Sequence, residues 1–159
     1  MVLLLWAMVV IHRYQVQREA AEAALRASEQ QMRLVTDAMP ALIGYLDRDQ
    51  RFSFHNRGFV DWFGAAAGPL QGRRLSELLP GPAAAVVRMH FDDALRGESS
   101  HFGFQLARSN GADADLSASL VPHKDETGRV IGCYVLVTDI SDLKEVERMK
   151  AAFVSTVSH

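Results

Sequence analysis

Apolar residues fill the first eleven positions, Met1 to Ile11 (MVLLLWAMVVI), and then thin out. A helix of that length spans about 16 Å, against about 30 Å for a bilayer's hydrocarbon core. The run cannot cross a membrane alone. His12, Arg13 and Arg18 follow at once, as basic residues do on the cytoplasmic side of a membrane helix. Residues 1–14 are therefore expected to be the end of a transmembrane helix, with a short core helix as the alternative. Residues 15–39 are rich in Ala, Glu, Gln and Arg and predict one helix. A heptad frame puts Arg18, Leu25, Met32 and Met39 at one seam position and Ala21, Ser28 and Val35 at the other. Such a seam supports only a weak coiled coil. Pro40 ends the helix.

Beyond Pro40 the period changes. Ala41–Asp47 and Arg51–His55 predict two strands joined by a tight turn, with Phe52 and Phe54 on one face. Asn56 is placed to cap a helix running to Phe63 and closed by Gly64. After a loop-like stretch with a helical piece at 74–79, Pro82 opens a longer helix that Gly97 stops. Ser100–Arg108, Ala114–His123 and Val130–Thr138 predict three strands, the first two joined by a Ser109-Asn-Gly-Ala112 hairpin turn. Two strands, several helices and a three-stranded meander make an α+β domain on one antiparallel sheet.

The last strand is the most apolar and predicts burial on both faces. It runs without a linker into a helix whose apolar residues fall three and four apart: Leu143, Val146, Met149, Phe153 and Val157. Asp139, Ser141 and Asp142 offer capping oxygens and negative charge at that helix's positive end. Thr138, Asp139 and Ser141 thus form a stiff elbow, expected to pass displacement from sheet to helix.

Composition narrows the function. The net charge of −2 gives no electrostatic case for nucleic-acid binding. One cysteine excludes an internal disulfide and a multi-cysteine metal site. No metal site and no catalytic residue is expected in this chain, and it carries no Walker-type phosphate loop.

Residues from about Leu34 to Glu147 resemble a PAS sensor domain, with the domain itself expected at 40–140. The resemblance is carried by Ala38-Met-Pro40, by Asn56 with Phe59 and Gly64, and by Gly72 before Leu75 and Leu78. Leu95-Arg-Gly-Glu98, Val121 to Gly128, Gly132 and Thr138-Asp-Ile-Ser141 complete it. It implies a five-stranded antiparallel sheet with helices over one face and a small pocket between them. The domain would be flanked by N- and C-terminal helices of coiled-coil type. Trp62, His90, Phe104 and Tyr134 are candidate pocket residues, although aromatic residues in a core are the default. Haem-binding members carry an axial His where His90 falls, but Arg88, Asp92 and Asp93 are polar and His90 reads as solvent-facing. Light-sensing members place their flavin-adduct Cys on a helix, whereas Cys133 falls in a strand. No cofactor is required, and neither haem nor flavin is expected.

The segment Phe153-Val-Ser-Thr-Val-Ser-His159 resembles the opening of the phosphoacceptor helix of sensor histidine kinases. The resemblance implies that His159 receives the phosphoryl group and that 141–159 begins the dimerisation domain. ATP would bind beyond residue 159, so these residues alone should phosphorylate nothing. The expected protein is a homodimeric sensor kinase of the cell membrane, with residues 12–159 cytoplasmic. It would serve a response regulator and hold the membrane through residues 1–11. The alternatives are a PAS module of another output, such as a cyclic-nucleotide enzyme or chemoreceptor-like protein, and a standalone PAS dimerisation module.

Overall fold

The computed structural model describes residues 1–158; His159 lies outside the described residues. The chain divides into two compact units at Ala38/Met39. The first is a single helix, α1 (Val2–Ala38). No Gly or Pro interrupts it, so the apolar run and the predicted heptad helix form one continuous element. It has no buried residue. No described helix is long and apolar enough to cross a membrane.

The second unit is built on a sheet with strand order β2-β1-β5-β4-β3. Its elements are β1 (Leu42–Asp47), β2 (Phe52–His55), α2 (Arg57–Phe63), α3 (Leu75–Leu78) and α4 (Gly81–Leu95). Then come β3 (Ser100–Ala107), β4 (Asp113–Lys124), β5 (Val130–Asp139) and α5 (Ser141–Val157). All strand pairs are antiparallel. The chain's last strand, β5, is the middle one, held by β1 and β4. Helix α4 packs across β3, β4 and β5, and α2 rests on β1. The core between them is led by Leu46, Phe52, Phe59, Phe91, Leu116, Leu120 and Cys133, all almost fully buried.

Three expectations change. The β5 strand is buried on one face only: Val135 and Val137 point into the core, while Tyr134 and Leu136 are about half exposed. An antiparallel sheet needs to cover only one face, and outward apolar residues make such a strand read as doubly buried. Phe54 does not share the inner face with Phe52. The β1–β2 register slips one residue, so that Phe52 opposes Leu46 and Phe54 opposes Tyr45. Asn56 does not cap α2 through its side chain. Its Oδ1 accepts the Ile43 amide at 2.9 Å and its Nδ2 donates to the Ala41 carbonyl at 2.8 Å. A buried amide finds fuller satisfaction at the start of β1, on the side that β2 does not yet pair, than on a helix end open to water.

Candidate functional site

Two features stand out, a cavity inside the domain and a polar cluster where β5 becomes α5. The cavity has a volume of about 30 Å³ and is lined by apolar side chains alone. Phe59, Phe63, Val87, Phe104, Leu116 and Val137 are among them. Ordinary ligand pockets begin at about 300 Å³, so this one admits no haem or flavin without rearrangement. Of the four candidate pocket residues, Phe104 alone lines it. Tyr134 lies on the sheet's outer face, edge-on to Tyr45 at 5.0 Å between ring centres. Its even-numbered place on β5 puts it opposite in direction to Val135. Trp62 packs against the core but borders a separate groove with Gly58, Asp61, Arg108 and Ser109.

His90 corrects its expected solvent-facing position. Its side chain is only 18% exposed and stacks on Phe102, with 3.8 Å between ring centres. Its buried Nδ1 has no hydrogen-bond partner among the described residues and stands 3.8 Å from an Asp93 oxygen. Cys133 is fully buried, and burial pushes its thiol up to about 12. It is an inert core residue by that measure. No group of three or more His, Cys, Asp or Glu is placed to hold a metal among the described residues.

The junction cluster is built on Asp139, the last residue of β5. Its Oδ1 accepts the Ser141 amide at 3.0 Å, capping the first turn of α5. Its Oδ2 accepts Arg108 Nη2 at 2.5 Å and Nε at 3.2 Å. Burial raises the Asp139 carboxyl, but the Ser141 bonds and the Arg108 bond and charge outweigh it and hold the group below its ordinary value. Ser141 does not cap its own helix. Its Oγ accepts the Asp115 amide at 3.0 Å and lies 3.3 Å from Arg108 Nη2. Thr138 pairs with Ser117 across β4–β5 and stays outside this cluster.

Asp115 on β4 was not singled out by sequence, yet it grips the junction with its N–H, its carbonyl and one carboxylate oxygen. Its N–H donates to Ser141, and its carbonyl accepts the Ile140 amide at 2.9 Å. Its carboxylate accepts Gln105 Nε2 at 3.0 Å and Arg148 Nη2 at 3.2 Å. Arg108 and Arg148 were missed for the same reason: their partners lie 31 and 33 residues away in sequence. The one available hint was Asp115 itself, a charge at an outward position of an alternating strand.

Cavity and junction are joined through the backbone. Leu106, Leu116 and Val137 line the cavity. Arg108 follows Leu106 by two residues, Asp115 precedes Leu116 directly, and Asp139 follows Val137 by two residues. Two strands that wall the cavity therefore carry Asp115 and Asp139, and Arg108 directly follows the end of the third, so the three side chains that hold α5 all continue from the cavity wall.

Comparison with known proteins agrees with this architecture. A family described as "PAS fold" matches residues 36–145, and the chain belongs to that family. It is similar to the virulence sensor protein BvgS of Bordetella pertussis, 26% identical over 176 aligned positions. The alignment takes in 99% of this chain and 14% of that protein, so the chain spans a small part of the relative it matches. Among solved structures, the PAS domain of Bordetella pertussis BvgS superposes with a TM-score of 0.58 at 21% identity. That match covers 82% of this chain and 98% of the other. The VqmA dimer of Vibrio cholerae superposes with a TM-score of 0.59 at 20% identity, covering 72% and 52%.

Proposed function

We propose that the chain is the sensory and signal-relay segment of a membrane-bound, homodimeric sensor histidine kinase. A change in the PAS domain would be transmitted through the Thr138–Ser141 elbow into α5, and so to phosphorylation of His159. The observation that carries this reading is the direct backbone link from cavity wall to junction, Val137 to Asp139, flanked by Leu106 to Arg108 and Leu116 to Asp115. Likeness to a sensor protein over 99% of this chain supports it. So does the exposed seam of Leu143, Val146, Met149, Phe153 and Val157 on α5. In a second copy that seam has a self-complementary partner at coiled-coil spacing. Residues 1–11 would hold the membrane as the end of a longer apolar helix, with residues 12–159 cytoplasmic, and a response regulator would take the phosphoryl group.

The test is labelling of the full-length protein in membranes with γ-labelled ATP. Acid-labile phosphate that disappears in His159→Gln is the expected result. Labelling that persists in His159→Gln, or no labelling at all, contradicts the reading. One observation favours a second reading, a PAS module of another output. The fold matches the VqmA dimer as well as it matches the BvgS domain. In that case the elbow would still relay, but His159→Gln would be silent.

A further inference from the structure

Arg148 sits on the second turn of α5 between two carboxylates. Asp115 Oδ2, on β4, is 3.2 Å from one guanidinium nitrogen, and Glu145 Oε2, on α5 itself, is 3.4 Å from the other. We propose that this shared arginine is a release latch for α5, additional to the Asp139 junction. While Arg148 holds Asp115, the helix is tied to the β3–β4 hairpin at a second point beyond the elbow, which fixes its tilt. When the helix swings away, Arg148 keeps Glu145 and is not left without a counter-charge. The strand contact is then cheap to break, so the docked and released positions of α5 stay close in free energy, as a relay requires. Exposure fits this role. Arg148 and Glu145 are 62% and 60% exposed and Asp115 is 22% exposed. Solvent-exposed pairs of this kind are weak and screened by salt. Asp115 remains anchored to β3 by Gln105 in either state, so the strand half of the latch does not move with the helix.

The inference deepens the relay reading and rests on it for purpose, but its test does not use kinase output. Spin labels on Val121→Cys in β4 and Ala152→Cys in α5 report the distance between sheet and helix. Both sites are exposed, while Cys133 is buried and escapes labelling. Labelled chain is diluted into excess unlabelled chain, and thermal unfolding checks each variant's fold. Asp115→Asn and Arg148→Gln should each broaden the distance distribution, raising the released fraction severalfold, and about 1 M salt should do the same to the parent chain. Glu145→Gln should narrow it, because release would then strand Arg148. Loss of Glu145 from the positive end of the helix dipole would by itself loosen the first turns, so narrowing has no explanation in helix stability. Arg148→Gln lies on an exposed helix face and remains informative if Asp115→Asn fails to fold. Unchanged distributions in both Asp115→Asn and Arg148→Gln, or broadening in Glu145→Gln, would overturn the latch.

Discussion

Asn56 and Ile43 hold each other twice: the Asn56 amide donates to the Ile43 carbonyl at 2.8 Å, and Asn56 Oδ1 accepts the Ile43 amide at 2.9 Å. The pair fastens the start of α2 to β1, and Asn56 is 1% exposed. Asn56→Ala leaves the Ile43 N–H and the Ala41 carbonyl without their side-chain partners in a buried site. It is expected to cost about 1–3 kcal/mol. Urea unfolding should give a lower midpoint with an unchanged slope.

Gly132 is fixed by close approach rather than by backbone angle. A Cβ there would stand 2.5 Å from the Leu46 carbonyl oxygen and closer still to the Tyr45 hydroxyl. The carbonyl belongs to the β1–β5 ladder and has little freedom to yield. Gly132→Ala should destabilise the domain by about 1–3 kcal/mol, read as a fall in the thermal midpoint. Gly64→Ala is not a matched control, since its φ of 73° strains any side chain.

These two residues also mark what the sequence made legible. Strand and helix order followed from period and turn signals. The hairpin at Ser109 to Ala112, for instance, ends β3 within one residue of its expected end. Helix α5 begins at Ser141, two residues before the first seam residue Leu143. What escaped was non-local. The register slip that turns Phe54 away from Phe52 leaves no mark in an alternating strand. The grip of Asp115 on Ser141, Ile140 and Arg148 depends on β4 lying beside β5, which sequence spacing does not encode. Asp139 was legible because it stands at a change of period, and Arg108 was not, because its strand simply ends there.

Acid should loosen the elbow before it unfolds the core. The Asp139 carboxyl lies below its ordinary 3.8 in the folded chain. A depressed folded value means stabilisation that is complete above the unfolded value and is lost as pH falls through the folded one. The stability difference between the parent chain and Asp139→Asn should therefore be constant above about pH 5 and shrink below about pH 4. The carboxylate is about one-third exposed, so the plateau difference should be modest, about 1 kcal/mol. Thermal midpoints of both proteins from pH 3 to 7 check it. A gap that widens toward acid would have the wrong sign.

Comparison with Asp142 separates a relay role for Asp139 from simple capping. Asp142 is the matched control. It lies three residues later, exposed in the first turn of α5. Autophosphorylation at His159 in the full-length protein is measured for the parent, Asp139→Ala and Asp142→Ala, beside the thermal midpoint of each PAS-containing chain. The prediction is a change of about 5-fold or more for Asp139→Ala, the lower end of allosteric coupling. Asp142→Ala should stay within about 2-fold, a few tenths of a kcal/mol by the exchange of RT for a rate ratio. A near-native midpoint is expected for Asp142→Ala, and a fall of only a few degrees for Asp139→Ala, in keeping with the loss of about 1 kcal/mol above. Equal, small effects of the two substitutions on phosphorylation would contradict the relay role and leave Asp139 as a helix cap alone.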